Sequence, residues 1–226
     1  MGYSKDWAKY TLCEVMYSQF ALYNRGPVVF VNVLDPKTHK KSTSSKNVTV
    51  TNKVAKVDAP VLLDTLQIKA STAGSALIAG SDYEAAYDDD GVLVITLLDD
   101  GTATAASNLT LTYDEIDAAA VDADDIIGGI NVSDGSVKGL ECLNKVFPIT
   151  GLVPGIVLAP GWSENPTVAA VMKAKAGNIN SHFKAITLND VPTDAVKKYT
   201  DVKAWMNQNS YNDTSQVVCW PLVSGA

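Results

Sequence analysis

The sequence predicts an α/β protein whose parallel sheet is interrupted by an antiparallel, β-sandwich-like insertion. Three observations lead to this class: a helix pattern and a strand pattern open the chain, short strands follow one another in its middle, and strands then alternate with helices. We predict an α/β core of residues 1–36 and 126–226 and an inserted β domain of residues 37–125. With 226 residues, 46% of them apolar, the length suits one domain that carries a smaller one.

The opening segment is predicted to form a helix followed by a buried strand. Thr11 and Glu14 have capping-box spacing, and apolar residues recur at helical spacing until Gly26 and Pro27 stop the helix. The run of residues 28–34 is nearly continuous in β-branched and other apolar residues. Such a run is typical of a strand that is covered on both faces.

Short strand patterns separated by turn residues fill the predicted insertion. They cover residues 48–51, 62–68, 83–87, 92–98 and 109–113. The Asp-rich segment that ends in Gly91 lies between the third and fourth of these patterns, which predicts a hairpin.

Charge is segregated within the insertion. Residues 37–56 carry six lysines, whereas residues 81–125 carry thirteen acids and neither Lys nor Arg. Charge runs of this kind usually form a solvated surface, so we expect the acidic residues to lie on the outer surface of the β domain.

Charge and hydropathy exclude two classes of protein. Nucleic-acid binders need a basic surface, whereas this chain has 18 basic and 25 acidic residues and a single arginine, Arg25. No apolar stretch approaches the roughly 20 residues of a membrane-spanning helix, and the first ten residues do not form a secretory signal. We therefore predict no nucleic-acid partner and no membrane insertion.

Cysteine usage points to a reducing compartment. Cys13, Cys142 and Cys219 are far apart and form no CxxC pair, which argues against a disulfide framework. Each lies among apolar residues, so we expect each to be a small buried side chain.

Strand and helix patterns alternate from residue 126 onward. Helices are predicted near 140–147, over 167–176 and over 193–209, and strands over 155–159, 183–188 and 217–223. The middle helix has a start signal, Asn165 as cap and Pro166 at the first helical position. This alternation predicts a parallel sheet with right-handed crossovers.

Ser163 is the one candidate nucleophile. It follows a predicted strand and precedes a helix, where a nucleophile elbow would lie, but Asn165 stands where the GxSxG motif needs its second glycine. His182 and Asp190 could complete a Ser-His-Asp set. The favoured interpretation is that Ser163 and Asn165 cap the helix, His182 lies on the surface and Asp190 begins a turn. We predict no catalytic residues.

No motif predicts a metal or a cofactor. His39 and His182 are far apart, and no Cys/His cluster occurs. The aspartates of 88–90 and of 122–125 do not match the EF-hand spacing, so Asp-rich turns are the ordinary explanation. No GxGxxG or Walker-type segment is present.

Five segments, taken in order, resemble contractile phage tail sheath proteins. They are VNVLDP at 31–36, GSDY at 80–83, DIIGG at 125–129, LVPGIVLAPG at 152–161 and FKAI at 183–186. None is specific alone, but their order over residues 11–223 is similar to that of the family.

The resemblance implies a subtilisin-like fold for the core, without protease function. It implies a structural subunit that polymerises around an inner tube and contracts to drive that tube through a cell envelope. The implied partners are other sheath subunits, the inner tail tube and the baseplate. The implied location is a virion tail or an R-type, tail-like particle that is assembled in the bacterial cytoplasm; the sequence leaves open which of the two.

The chain is similar to the middle of the family's polypeptide. The family's linking arms and tube-facing domain have no counterpart here, so we expect a core fragment, natural or trimmed. Two alternatives stay open at this point: a serine hydrolase that uses Ser163, and a β domain that binds a ligand or receptor.

Overall fold

The structure, a computed structural model, describes residues 4–221. It contains helices and strands with both parallel and antiparallel sheets, as the α/β class with a β insertion requires. The chain divides into two compact units. The β unit is Leu34–Ala120, and the discontinuous unit combines the chain up to Val33 with the chain from Val121 onward. That these units are separate domains with the boundaries given above stays a prediction.

Six strands form the β unit. They are β1 (Lys40–Thr49), β2 (Val54–Val57), β3 (Gln67–Lys69), β4 (Tyr83–Tyr87), β5 (Leu93–Leu97) and β6 (Asn108–Ile116). Two three-stranded antiparallel sheets result, with strand orders β1-β6-β3 and β2-β5-β4. The predicted antiparallel strands are thus present, although a short 3₁₀ turn at Leu63–Thr65 replaces the first half of the pattern at 62–68.

The hairpin between β4 and β5 is confirmed. Asp88 accepts hydrogen bonds at its carboxylate from the N–H groups of Asp90 and Val92, and its carbonyl accepts the N–H of Gly91. Gly91 has φ +79°, a conformation that glycine adopts without strain. The Asp-rich segment is therefore a turn, as its composition predicts.

One hydrophobic core serves both sheets of the β unit. β6 contributes Leu109, Leu111 and Tyr113 from one sheet, and β5 contributes Leu93 and Ile95 from the other; each is at most 1% exposed. Full burial of a leucine or isoleucine side chain contributes about 1.5–3 kcal/mol. The alternation along β6 therefore accounts for much of the packing that holds the two sheets together.

Oppositely charged strands lie side by side in the β unit. Lys40 pairs with Asp114, and Lys41 pairs with Glu115 at 3.1 Å, because β1 and β6 are antiparallel neighbours in that register. Lys53 also pairs with Asp99. The expectation of a solvated acidic surface is therefore wrong for Asp114 and Glu115, whose side chains are only 18% and 14% exposed.

Asp82 joins two loops of the β unit. Its buried carboxylate accepts the N–H of Ile78 and both the N–H and the hydroxyl of Thr102, each at 2.8 Å. These hydrogen bonds favour the charged form, so they lower the pKa of the Asp82 carboxyl below its ordinary value. This acid of the charge run is structural rather than solvated.

We predict that Asp82→Asn lowers stability at neutral pH, because a neutral amide cannot accept three hydrogen bonds as a carboxylate does. A lowered pKa in the folded state stabilises the protein above the pKa of the unfolded chain, and this contribution is lost as pH falls toward the folded-state value. The difference in the free energy of unfolding between the wild type and the variant should therefore become smaller as the pH falls. Urea unfolding from pH 7 to pH 3 measures it.

Asp89→Asn is the matched control, since it removes the same charge from an exposed turn position. Equal losses of stability in the two variants, or a difference that does not depend on pH, would contradict this role of Asp82.

Five helices and five strands form the described part of the discontinuous unit. The helices are α1 (Thr11–Met16, continued by a π-helical turn at Tyr17–Leu22), α2 (Ala123–Ile127), α3 (Leu143–Thr150, preceded by a 3₁₀ turn at Gly139–Cys142), α4 (Pro166–Ala176) and α5 (Tyr199–Gln208). The strands are β7 (Gly129–Ile130), β8 (Val137–Lys138), β9 (Ile156–Leu158), β10 (Ile186–Asp190) and β11 (Gln216–Cys219).

The predicted parallel sheet is confirmed. β10 pairs in parallel with both β9 and β11, in the order β11-β10-β9. α4 connects β9 to β10, and its start signal works as predicted: the Asn165 side chain accepts the N–H of Thr167 at 3.0 Å, and Pro166 is the first helical residue.

The predicted strand at 28–34 is wrong. The segment pairs with no strand among residues 4–221, and Val29 is 42% exposed. Phe30 instead packs against Phe20, with ring centroids 5.8 Å apart. An apolar run can thus pack against a helix through its side chains while its backbone stays outside any sheet. The capping box is also absent, because Tyr10 rather than Thr11 is the N-cap and makes no side-chain bond.

Three other boundaries differ from the prediction. α5 begins at Tyr199 rather than near 193, because Ala195 and Val196 form a turn by donating their N–H groups to the carbonyl of Pro192. β10 begins at Ile186 rather than at 183. The predicted last strand is observed over Gln216–Cys219, and its residues 222–223 lie outside the described part of the chain.

Two glycines allow the backbone after α2 to approach the turn before α3. A Cβ atom on Gly128 would lie 2.0 Å from the carbonyl oxygen of Lys138, and one on Gly139 would lie 2.4 Å from that of Ile126. Both glycines have positive φ, +65° and +57°. Close backbone packing therefore requires Gly128, the first glycine of the DIIGG segment, to be a glycine.

We predict that Gly139→Ala destabilises the protein far more than Gly135→Ala. Gly135 also has positive φ (+70°) but has no atom within 4 Å of its Cβ position, so alanine there meets only backbone strain of about 1–2 kcal/mol. Equilibrium denaturation of both variants tests this. Similar losses would show that the chain relaxes around the clash at position 139.

Candidate functional site

The hydroxyl of Ser163 is buried and makes two hydrogen bonds with Asp190. It donates to the Asp190 carboxylate at 2.9 Å and accepts the N–H of Asp190 at 3.0 Å. Ser163 is 1% exposed, and its carbonyl accepts the hydroxyl of Tyr211 at 2.9 Å. Burial raises the pKa of Tyr211, which keeps its proton in place as a donor. These bonds hold the loop after β9 against the end of β10.

The structure does not assemble a Ser-His-Asp arrangement. His182 lies exposed in the turn before β10, with its ring beside that of Phe183, as the surface interpretation predicts. Among the described residues, neither Ser163 nor Asp190 makes a hydrogen bond to it. The carboxylate therefore contacts the serine directly, without a histidine to act as base. The prediction that Ser163 caps α4 is wrong, because Asn165 alone does so.

We predict that Ser163→Ala lowers the free energy of unfolding by about 1–3 kcal/mol, because it removes a buried hydroxyl and leaves the half-buried carboxylate and N–H of Asp190 without that partner. Ser133→Ala, at an exposed position, is the control and should change stability by less than about 0.5 kcal/mol. Chemical denaturation measures both. Ester hydrolysis by the wild type that Ser163→Ala abolishes without loss of stability would contradict a purely structural role.

The residues considered as metal ligands have other partners. Asp122 caps α2 by accepting the N–H groups of Asp124 and Asp125, and the Asp125 carboxylate accepts the N–H of Asp122 in return. His39 is buried in the β unit, where its Nδ1 accepts the N–H of Asp35 at 2.9 Å. Within residues 4–221, no three His, Cys, Asp or Glu side chains are grouped to hold a metal ion.

All three cysteines are free thiols. Cys13 and Cys142 are half-buried, but Cys219 is exposed, so the expectation that each is buried is wrong for it. Burial raises the pKa of Cys142, whose thiol donates to the carbonyl of Val137 at 3.6 Å. A thiol of raised pKa is a poor nucleophile at neutral pH.

The parallel sheet is apolar on its exposed face. Ile156 and Leu158 on β9, Ile186 on β10 and Val217 on β11 are 39–53% exposed. Val157, Thr187 and Gln216, which are their neighbours along the three strands, point inward and are buried. The predicted strand at 155–159 is therefore buried on one face only. A contiguous apolar surface of this kind suits a macromolecular contact better than a small-molecule reaction.

An apolar groove lies elsewhere in the discontinuous unit. Its volume is about 310 Å³, and it runs between the extended residues 29–31 and one side of α3. Val146 and Ile149 line the α3 side, and Lys145 is the one charged residue in its lining. Reasoning from sequence missed this groove because it assigned residues 28–34 to a sheet.

No helix within residues 4–221 has both the length and the apolar character needed to cross a membrane.

Comparison with known proteins finds similarity to a phage tail protein. The chain is 31% identical over 176 residues to the tail sheath protein of Burkholderia phage BcepMu. The match covers 75% of this chain but 34% of that protein, so the chain spans about a third of the length of the curated relative it matches. No protein-family model matches the chain, and no solved structure matches it.

Proposed function

We propose that this chain is part of a structural subunit of a contractile tail sheath. The observation that carries the proposal is the 31% identity with a phage tail sheath protein over three quarters of the chain. Identity at this level, spread over so long a segment, is difficult to explain by composition alone. The five segments that resemble the sheath family point in the same direction.

The geometry around Ser163 supports a structural role over a hydrolytic one. A nucleophile must reach its substrate and must have a base to take its proton. Ser163 is 1% exposed, and its hydroxyl proton is donated to a carboxylate that it holds in place. The hydrogen bonds between Ser163 and Asp190 instead connect the loop after β9 to the end of β10.

The surface of the discontinuous unit supports assembly. A subunit of a helical polymer makes heterologous contacts that do not close into a small ring. Such contacts are favoured where apolar side chains are exposed and can be buried against a partner. The outer face of the parallel sheet is such a surface, because Ile156 and Leu158 are exposed on it. The contacts themselves belong to the complete subunit, of which this chain corresponds to a part.

In the proposed particle, sheath subunits surround an inner tail tube above a baseplate. Contraction of the sheath drives the tube through a cell envelope. The particle is either a phage tail or an R-type, tail-like bacteriocin, assembled in the bacterial cytoplasm. In both cases the chain acts through its contacts with other tail components and carries out no reaction.

We predict that antibodies raised against residues 1–226 label the outside of tails along their whole length. The test is immunogold microscopy of particles from cells that express the full protein. In contracted particles the labelled segment should be shorter and wider, while the exposed tube stays unlabelled. Antibodies against a tube protein provide the matched control, since they should label only the exposed tube.

Two results would contradict the proposal. Label confined to the tail tip would indicate a receptor-binding protein, and absence of the protein from purified tails would exclude a sheath role. Mass spectrometry of the same purified particles checks the second result, because a sheath protein is among their most abundant components.

A further inference from the structure

The inner face of the parallel sheet is polar where a hydrophobic core is expected. Along β10, Ile186 points outward, whereas Thr187 and Asn189 point inward and are both 0% exposed. Gln216 on β11 lies directly opposite Thr187 in the sheet and is also buried, at 9%. Parallel strands usually carry apolar residues on their covered faces, so three adjacent polar residues require an explanation.

The side chains of Thr187 and Asn189 have no protein partner. The hydroxyl of Thr187 and both the amide nitrogen and the amide oxygen of Asn189 are buried without a hydrogen bond to any described residue. Such atoms also occur elsewhere in residues 4–221, but on residues far apart in sequence: Trp7, Tyr113 and Asn180. Thr187 and Asn189, by contrast, are two positions apart on one strand and therefore share a face.

A buried polar side chain next to the same sheet, in the loop after β9, has its hydrogen bonds satisfied. Ser163 is as deeply buried and has both of its hydroxyl bonds in place with Asp190. The carbonyl of Ser163 is also paired, with Tyr211. Most buried polar groups in native proteins have a partner, either a protein group or an ordered water molecule. The atoms of Thr187 and Asn189 that make no hydrogen bond within residues 4–221 thus point to a partner other than the described residues.

We propose that the inner face of β10 is a binding site for buried water, with at least one molecule bridging the Thr187 hydroxyl and the Asn189 amide. Water can both donate and accept, as the two side chains require. Alternate residues on a strand are roughly 7 Å apart, a distance that two side chains and one water molecule can span. Gln216, whose amide oxygen accepts the N–H of Asp213 at 3.4 Å, lies within the same layer.

The chemistry of the site selects water over other ligands. None of the three side chains is charged, so the site offers no compensation for a buried ion. Thr187 and Asn189 are fully enclosed, which leaves no path for a larger ligand. A buried water molecule usually makes two to four hydrogen bonds, and Asn189 alone offers two donors and an acceptor.

Replacing Thr187 and Asn189 one at a time by an apolar residue of similar shape tests the proposal, because bound water and a dry site predict opposite shifts of the thermal midpoint. If water is bound, Thr187→Val and Asn189→Leu each remove one of its partners, and each should lower the thermal midpoint by about 2–4 °C. The double variant should lose less than the sum of the two, because both act on one bridge. If the site is dry, each replacement removes an unpaired polar group and should raise the midpoint instead.

Thr167→Val is the matched control. Thr167 is exposed on α4, and its change should shift the midpoint by less than about 1 °C. A crystal structure of the 226-residue protein gives the direct measurement and does not depend on whether a variant folds. Density for water within about 2.7–3.2 Å of both the Asn189 amide and the Thr187 hydroxyl is expected. Empty space there, an Asn189 amide bonded to a protein group, or higher midpoints in both single variants would overturn the proposal.

Discussion

The pairing of β1 with β6 is the constraint on which the rest of the chain depends. These strands come from opposite ends of the β unit, and their register places Lys40 opposite Ile116. The polypeptide therefore enters and leaves the β unit at neighbouring positions. Because of this, the chain up to Val33 and the chain from Val121 onward can form one compact unit although a long segment separates them in sequence. The entropic cost of closing a loop grows only slowly with the length of the loop. The residue pairs between β1 and β6 offset this cost.

Local signals were sufficient for part of the fold. The Asp88–Gly91 turn, the Asn165-Pro166 helix start and the alternation along β6 each act within a few residues, and each is found where the sequence predicts it. The strand predicted at 28–34 is absent although the composition of this segment suits a strand. A strand also needs a neighbouring strand to pair with its backbone hydrogen-bonding groups. No local pattern shows whether that neighbour exists. The lysine-rich and acidic runs misled for a related reason, since only the register of β1 and β6 brings them together.

At the candidate site, residue types that suit catalysis do not come together in space. Ser163, His182 and Asp190 have suitable chemistry, but sequence cannot tell whether three side chains converge. In the structure two of them meet, and the third lies in an exposed turn. The alternation along β10 did contain a usable signal, because it shows a strand with two unlike faces. What it could not show is that the polar face points inward, since that depends on which side α4 covers.

The bare face of the parallel sheet has a consequence for the colloidal behaviour of the protein. At neutral pH a net charge of −7 keeps molecules apart, but the isoelectric point is about 4.7, so mild acid removes this repulsion. Ile156, Leu158 and Ile186 then face solvent without an electrostatic barrier to self-association. The free protein should therefore be least soluble near pH 4.7.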